Sequence, residues 1–212
     1  MSGRLIVFEG IEGAGKTTQI RHLQAHLETL GYPVLTTYEP GGTALGQQLR
    51  AMLLHTTQPL SDCTELLLYA ADRAAHVDHV LRPAVTQGQI VLCDRYTDST
   101  LAYQGYGRGL DLATITSLNQ IATAGLVPDL TLWLDIPVDV GFARLHSRGR
   151  LDRVEAAGRA FHERVRRGYT ALWQADPSYR QRLEGTLPEL DLAAAIWQVV
   201  QPHLPLPPAD SN

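Results

Sequence analysis

The sequence predicts an α/β protein: a parallel sheet of about five strands with helices on both faces. Short continuous apolar runs at residues 5–8, 90–93 and 130–134 are typical of strands that are buried on both faces. Stretches in which apolar residues recur every three or four positions lie between these runs and are typical of helices. Because apolar strands alternate with helices, a parallel sheet covered on both sides is the expected architecture.

The elements follow one another in a regular order along the chain. The first strand, 5–8, ends at Gly10, and a helical pattern then runs from 17 to 30 and closes at Gly31. A second strand at 34–38 enters a turn rich in glycine. The later helices and strands are predicted at 45–54, 62–81, 90–93, a helix capped by Asp111, 130–134, 138–146, 156–175 and 191–200.

The chain of 212 residues is long enough to bury a continuous core. We expect one domain over residues 1–202 and a loose proline-rich tail at 203–212. Residues 181–185 have a poor strand pattern, so a fifth strand at that point is in doubt.

The composition argues against several classes of protein. A net charge of −4 and a pI near 6.0 do not fit a protein that coats nucleic acid, which needs a broadly basic surface. No run approaches the roughly 18 apolar residues of a membrane span, and the first apolar run is too short for a signal peptide. Cys63 and Cys93 have no metal-site spacing and form no disulfide framework, which fits a reducing cytosol. We therefore expect a cytoplasmic protein without nucleic acid or membrane partners.

The strongest motif lies between the first strand and the first helix and matches G-x-x-x-x-G-K-[ST]. Its glycines let successive backbone N–H groups point at phosphate oxygens, and the helix N-terminus adds its positive dipole end. Lys16 would bridge the β- and γ-phosphates, and the Thr17 hydroxyl would hold Mg²⁺. Lys16 is the one lysine beside 17 arginines, which marks a position that needs a compact ammonium. The motif predicts a P-loop NTPase-type fold with an ATP-binding segment at Gly10, Ile11, Glu12, Gly13, Ala14, Gly15, Lys16, Thr17 and Thr18.

A second anion site is expected beside the phosphate loop. Asp94 and Arg95 directly follow the third strand, and the carboxyl ends of parallel strands meet at one edge of the sheet. Asp94 is placed to organise Mg²⁺ and its waters, and Arg95 offers a bidentate fork for a second phosphate group. A GTP-binding switch protein is excluded, because its N-K-x-D motif needs a second lysine.

Further motifs are spread over the chain from Arg4 to about Tyr179. They are Glu39-Pro40-Gly41-Gly42-Thr43, Asp94-Arg95-Tyr96 with Ser99 and Tyr103-Gln104-Gly105, Gly107-Arg108-Gly109-Leu110, Pro128-Asp129-Leu130, and Leu151-Asp152-Arg153-Val154-Glu155. Together with the phosphate loop, they resemble the motifs of bacterial thymidylate kinases. The resemblance implies transfer of the γ-phosphoryl group of MgATP to dTMP, giving dTDP and ADP, by a homodimer. Tyr38 departs from the pattern, because many relatives carry arginine there.

The resemblance implies that three residues hold the phosphate and base of dTMP. Arg95 binds the phosphate, Arg73 hydrogen-bonds the thymine ring, and Tyr69 stacks on that ring. Tyr69 and Arg73 are four apart on a predicted helix, so they share one face and offer an aromatic plane beside a donor fork. Taken without the resemblance, the alternatives are that Tyr69 packs in the core and that Arg73 is a solvated helix arginine.

Other acceptor-side roles also rest on the resemblance. Thr100 would face the base edge, Tyr103 would favour deoxyribose by crowding the 2′ side, and Glu12 would approach the 3′-hydroxyl. Arg50 would belong to the acceptor phosphate region. The remaining acceptor-side positions are Glu39, Pro40, Ser99 and Gln104.

An arginine-rich segment predicts a short lid at about 146–156. Arg148, Arg150 and Arg153 lie there, and Gly149 interrupts them. A run of charge is often only a solvated surface; a lid would instead close over the triphosphate, exclude water and bring a guanidinium to the γ-phosphoryl group. The phosphate loop has no arginine of its own, which resembles the branch of the family with its catalytic arginine in the lid. We predict Arg153 for that role, with Arg148 and Arg150 as alternatives that contact ATP.

The predicted catalytic set is therefore Lys16, Asp94, Arg95 and Arg153, acting by positioning and charge stabilisation. Two alternatives stay open from the sequence. One is a kinase on the same frame for dUMP, another monophosphate or a nucleoside. The other is a nucleotide-dependent binding module without turnover, against which Glu12, Arg95 and the lid arginines argue together.

Overall fold

A five-stranded parallel sheet forms the centre of the protein in the computed structural model, which describes residues 3–146 and 152–206. The strands are β1 (Arg4–Glu9), β2 (Val34–Tyr38), β3 (Ile90–Asp94), β4 (Leu130–Asp135) and β5 (Arg180–Glu184). They are ordered β2-β3-β1-β4-β5, and every neighbouring pair is parallel. The carboxyl ends of all five strands therefore lie at one edge, which confirms the predicted α/β architecture.

Helices connect the strands and cover both faces of the sheet. They are α1 (Lys16–Thr29), α2 (Ala44–His55), α3 (Asp62–His76), α4 (Arg82–Thr86), α5 (Thr97–Thr100), α6 (Leu112–Thr123), α7 (Val138–His146), α8 (Arg159–Ala175) and α9 (Glu189–Val200). Wider π turns join α3 to α4 at Val77–Leu81 and extend α5 over Leu101–Gly107, and 3₁₀ turns lie at Glu155–Ala157 and Gln201–His203. Among the described helices, none has the length and apolar character needed to cross a membrane.

Side chains of β1 alternate between two apolar cores. Ile6 and Phe8 belong to a cluster with residues of α1, α8 and α9, whereas Leu5 and Val7 pack with Val77 on the opposite face. Each of these side chains is buried. Because both faces of the strand are covered, β1 appears in the sequence as a continuous apolar run.

The sequence-based doubt about a strand at 181–185 was wrong, because β5 pairs with β4 there. The segment looks like a poor strand because arginines occupy it. Arg180 donates to Asp98 at 2.6 and 2.9 Å, and Arg182 donates to Asp135 at 2.7 and 3.0 Å. Both carboxylates are buried and belong to other elements of the structure. The ion pairs that make these arginines acceptable in a strand therefore cannot be seen in the sequence pattern of the strand itself.

One helix was not expected from the sequence: α5 with its π extension, which follows the third strand. Glycines in the extension have poor helix propensity. Gly107 is nevertheless required, because a Cβ there would lie 2.7 Å from Cε2 of Phe161 on α8. Close packing of two helices thus outweighs the local preference.

Two helix boundaries also differ from the expected ones. The pattern at 62–81 continues through the π turn to the end of α4, with Pro83 in the first turn of α4, where proline is tolerated. The helix expected from 156 begins instead at Arg159, because Gly158 has a φ of +84° and interrupts the helical backbone.

Hydrogen bonds tie the start of the proline-rich tail to the domain. The Arg4 guanidinium donates to the carbonyl of His203 at 3.0 Å, and the Tyr32 hydroxyl donates to that of Pro205 at 2.7 Å. The first residues of the proline-rich tail are therefore held on the domain. Its remainder, and residues 147–151 of the predicted lid, lie outside the described residues.

Candidate active site

An open cleft of about 610 Å³ lies at the carboxyl edge of the sheet. The structure brings most of the predicted site residues to its walls, although they are scattered along the sequence. Those that line the cleft are Glu12, Gly13, Lys16, Thr17, Glu39, Pro40, Arg50, Tyr69, Arg73, Asp94, Arg95, Ser99, Thr100, Tyr103 and Gln104. Gly10, Ile11, Ala14, Gly15 and Thr18 belong to the adjoining loop and the first turn of α1, while Arg148 and Arg150 lie outside the described residues.

The loop between β1 and α1 takes the shape expected of a phosphate cradle. Gly15, at the N-cap of α1, has a φ of +92°, a conformation that favours glycine. Gly13 is needed for a second reason, because a Cβ there would lie 2.6 Å from the carbonyl oxygen of Gly141. The unpaired N–H groups at the start of α1 and the positive end of its dipole lie beside this loop, which is a suitable place for an anion.

Lys16 is held inside the curl of this loop. Its Nζ donates to the carbonyls of Gly10 at 3.2 Å and Ile11 at 3.4 Å, and it lies 3.8 Å from Oδ1 of Asp94. Burial, followed by the charge of Arg95, lowers the pKa of Lys16, and Asp94 opposes that change. A phosphate anion bound here would therefore relieve the crowding of two cations.

Thr17 and Asp94 supply the oxygen atoms that a magnesium ion prefers. The Thr17 hydroxyl donates to Oδ2 of Asp94 at 3.3 Å, so a hydroxyl and a carboxylate already face each other next to Lys16. No cluster of three or more His, Cys, Asp and Glu side chains suited to a metal is found in the described part of the chain. This donor set fits an ion that is held mostly by phosphate oxygens and water.

Arg95 and Glu12 form an ion pair at the centre of the cleft. Nη2 of Arg95 donates to Oε1 of Glu12 at 2.9 Å, and Nη1 donates to the carbonyl of Gly10 at 3.1 Å and to Oγ of Ser99 at 3.2 Å. The guanidinium also lies over the ring of Tyr103, with 4.9 Å to the centroid. The predicted acceptor arginine therefore stands directly beside the phosphate loop.

Arg95 has an unusual backbone conformation, and its charge lowers the pKa of the neighbouring Glu12. Arg95 has a φ of +73°, a strained conformation for a residue with a side chain and one that is concentrated at functional sites. Burial is the largest influence and opposes ionisation of Glu12, but Arg95, His162 and Lys16 together outweigh it, so the pKa of Glu12 falls to about 2. Glu12 is therefore a carboxylate at any physiological pH.

Arg73 lies at the far end of the cleft and is almost fully engaged with protein. Its Nε donates to Glu39 at 2.9 Å, Nη1 to both Thr100 and Asn119 at 2.7 Å, and Nη2 to the carbonyl of Tyr96 at 2.8 Å. Four of the five N–H groups are thus used within the protein. Within the described residues the fifth N–H has no acceptor, so Arg73 would offer a base a single, rigidly aimed donor.

Glu39 acts behind Arg73. It is 4% exposed, and its second carboxylate oxygen faces Nδ1 of His76 at 2.9 Å. Nε2 of His76 in turn meets the Thr37 hydroxyl at 2.7 Å. Glu39, which was predicted to bind the substrate, therefore contacts Arg73, the arginine predicted to bind the thymine base. His76 and Thr37 in turn support Glu39.

Tyr38, the departure from the family pattern, makes a specific contact with Arg50. The guanidinium of Arg50 lies over the Tyr38 ring at 5.5 Å to the centroid and donates to the carbonyl of Pro40 at 2.8 Å. Gln47 also donates to the Tyr38 hydroxyl at 2.7 Å. Tyr38 thus helps to place a cationic side chain at this wall of the cleft.

Arg153 stands apart from the cleft lining. Its Nε donates to the carbonyl of Leu53 at 2.7 Å, Nη2 donates to Oε2 of Glu65, and its backbone N–H meets the carbonyl of Leu54. Glu65 also accepts from Gln104 at 2.7 Å. A contact between Arg153 and ATP would require these contacts to break, and the catalytic role of Arg153 stays a prediction.

Sequence reasoning assigned no role to several buried partners of the site. Glu9 accepts from the backbone N–H of Tyr96, from the Ser99 hydroxyl at 2.6 Å and from the Tyr169 hydroxyl at 2.8 Å. Burial, followed by the charge of Asp98, raises the pKa of Glu9. The position of Glu9 directly before the phosphate loop was a sequence signal that it belongs to the site. Tyr169 lies on α8 and has no such motif beside it. His162 on α8 and Asn119 on α6 were also missed, because neither lies beside a recognisable motif.

The sheet topology, the phosphate loop and the two neighbouring cations define the class: a P-loop phosphotransferase with room for a second phosphate-bearing substrate. The family model described as thymidylate kinase matches residues 8–196. The chain belongs to the thymidylate kinase family.

Individual relatives agree with this assignment. Thymidylate kinase of Synechococcus sp. (strain JA-2-3B'a(2-13)) is 55% identical over 201 residues, covering 95% of this chain and 96% of that protein. Thymidylate kinase of Nostoc punctiforme is 51% identical over 207 residues, covering 96% and 98%. The crystal structure of thymidylate kinase from Ehrlichia chaffeensis superposes with a TM-score of 0.79 at 32% identity, covering 95% of this chain and 100% of that one. The predicted family and fold are therefore confirmed.

Proposed function

We propose that this cleft binds MgATP and dTMP side by side and transfers the γ-phosphoryl group to give dTDP and ADP. One observation carries the proposal: Lys16 and Arg95 donate to the same oxygen, the carbonyl of Gly10, at 3.2 and 3.1 Å. The ammonium of the phosphate loop and the guanidinium of the acceptor side are therefore neighbours. Two phosphate groups held by them would meet end to end, which is the arrangement that in-line transfer needs.

The donor half uses the phosphate loop. Backbone N–H groups from Gly13 to Thr17 would surround the β-phosphate, and Lys16 would move from its carbonyl partners to the phosphates. Thr17 directly, and Asp94 through water, would hold Mg²⁺, which supplies charge neutralisation on the phosphate oxygens when bound.

The acceptor half uses the residues from Tyr69 to Tyr103. Arg95 would exchange Glu12 for the phosphate of dTMP, a stronger bidentate partner. The free N–H of Arg73 and the neighbouring Thr100 would meet the base edge, with Tyr69 against the ring. Tyr103, whose hydroxyl donates to both oxygens of Glu12 at 2.8 Å, would occupy the 2′ side of the sugar.

Several further properties belong to the same proposal. We infer a lid arginine, Arg153 with Arg148 and Arg150 as alternatives, that reaches the transferring group when the cleft is loaded. Family membership supports a homodimer, and the composition supports a cytoplasmic location without nucleic acid or membrane partners. Kinases for other monophosphates or nucleosides are not favoured, because the relatives are thymidylate kinases over nearly the full chain.

A coupled ADP-release assay tests the proposal directly. The purified chain with MgATP is compared across dTMP, dUMP, other deoxynucleoside monophosphates and thymidine, and ³¹P NMR identifies the product. The expected result is the highest kcat/KM for dTMP, with dTDP as product. A preference for another acceptor would contradict the proposal, and Lys16→Ala protein prepared in parallel controls for contaminating host kinases.

A further inference from the structure

We propose that His162 is a positioning residue for Glu12, and that it keeps the Glu12 carboxylate turned toward the 3′-hydroxyl of the acceptor sugar. This inference rests on the proposed function. His162 lies on α8 and is 1% exposed. Its Nδ1 faces Oε2 of Glu12 at 3.3 Å, so a helix from the last third of the chain reaches into the phosphate loop.

The surroundings of the imidazole leave it a single polar task. Nε2 is buried and has no hydrogen-bond partner among the described residues. The rings of Phe142 and Phe161 meet the imidazole edge to face, with centroids 5.1 and 5.2 Å away. Because a carboxylate only accepts, the proton of a hydrogen bond to Glu12 must lie on Nδ1. Packing therefore aims one donor at one carboxylate oxygen.

The other partners of Glu12 lie in the cleft, whereas His162 lies behind Glu12 and outside the cleft lining. Arg95 and Tyr103 both line the cleft, and both are assigned to the acceptor, so substrate binding draws on the same groups that hold Glu12. His162 does not line the cleft. It is the contact of Glu12 that persists when Arg95 turns to a phosphate, and it keeps the carboxylate in place for the sugar hydroxyl.

Three substitutions separate positioning from simple packing. His162→Asn places an amide N–H near the position of Nδ1, whereas His162→Gln places one near Nε2 and leaves Nδ1 unreplaced. His162→Leu removes both nitrogens at similar volume. The readout is the ratio of kcat/KM for dTMP to that for 3′-deoxythymidine monophosphate, which lacks the hydroxyl in question, and thermal unfolding confirms that each variant is folded.

We expect the ratio of the two kcat/KM values to fall about tenfold in His162→Gln and His162→Leu, because kcat/KM falls for dTMP and not for the analogue. In His162→Asn the ratio should stay within about twofold of wild type. If His162→Leu does not fold, the comparison of Asn with Gln decides. An unchanged ratio in the Gln variant, an equal loss in the Asn variant, or a wild-type ratio near one would overturn the inference. Failure of the proposed function is a different result, since wild-type protein would then not phosphorylate dTMP.

Discussion

Nζ of Lys16 lies 3.8 Å from Oδ1 of Asp94 at the edge of the sheet, and this ion pair connects the phosphate loop to the end of β3. Thr17, the next residue, donates to the other oxygen of the same carboxylate. Asp94 therefore aligns the cation and the hydroxyl that we propose bind the phosphates and the magnesium ion of the donor. It stands directly before Arg95, so the same strand end also positions the acceptor side.

Replacement of the lysine should stop turnover and leave the fold intact. Lys16→Ala is expected to lower kcat by about 10²–10³-fold or more, because it removes charge stabilisation at the transferring phosphate. Circular dichroism and thermal unfolding should stay close to wild type. Lys16→Arg is the matched control: a planar guanidinium cannot replace a compact ammonium in the loop, so its kcat should also be low. Near-normal turnover by either variant would refute the assignment.

The single lysine also permits a chemical test. Since Lys16 is the one lysine of the chain, pyridoxal 5′-phosphate with borohydride should label Lys16 and the amino terminus alone. Burial and Arg95 lower the pKa of Lys16, which increases its reactive neutral fraction. Peptide mass spectrometry should show that ATP protects Lys16 while the amino terminus remains labelled as an internal control. Labelling of Lys16 that ATP does not reduce would place ATP elsewhere.

Loss of the Arg95 guanidinium should act on the acceptor. Arg95→Ala is expected to reduce kcat/KM for dTMP by about 10–100-fold, because a charged, bidentate contact with the phosphate is lost. KM for ATP should change little, and Arg95→Lys should recover only part of the activity. Steady-state kinetics with each substrate varied in turn distinguishes these effects. Unchanged kcat/KM for dTMP in the alanine variant would contradict the role.

The proposed catalytic role of Arg153 can be separated from its contact with Glu65 by a comparison with Arg108. Arg108 and Arg153 both pair with Oε2 of Glu65. Arg153→Ala should lower kcat by about 10³-fold if its guanidinium reaches the transferring phosphate, whereas Arg108→Ala should lower Tm and leave kcat near wild type. Equal effects of the two substitutions on kcat and Tm would show that Arg153 is structural, and Arg148→Ala and Arg150→Ala would then be compared.

The stability of the protein should depend on pH through Asp72. This side chain is 1% exposed; Oδ1 accepts from the N–H of Gly41 at 2.9 Å, and Oδ2 has no partner among the residues that the structure describes. Burial, followed by the charge of Glu39, raises the pKa of Asp72 to about 6. Since this exceeds the ordinary value, protonation stabilises the folded state below about pH 4, and that contribution is lost as the pH rises through 6.

Asp72→Asn keeps an acceptor for Gly41 without the charge. Its free energy of unfolding should be close to that of wild type near pH 4 and exceed it by about 3 kcal/mol above pH 7. Urea unfolding from pH 4 to 8 measures the difference. A difference that stays constant over this range would mean that Asp72 does not titrate there.

Local pattern was sufficient for the elements that are buried on both faces and for the phosphate loop. The run of β1 and the glycines of the loop follow from chemistry within about ten residues, so they were predictable. The segment of β5 and the helix after β3 were not. Arg182 is acceptable in a strand because Asp135 neutralises it, and Gly107 is acceptable in a helix because Phe161 packs on it.

The sequence by itself determined the α/β class, the position of the phosphate loop, the family motifs and the identity of the cationic side chains. The tertiary structure decided which of these groups touch. It placed Lys16 and Arg95 on one carbonyl, occupied four donors of Arg73, and brought His162 to Glu12. The physical reason is that a motif records the chemistry of neighbours in the chain, whereas hydrogen bonds and burial depend on distances that exist only after distant segments have packed together.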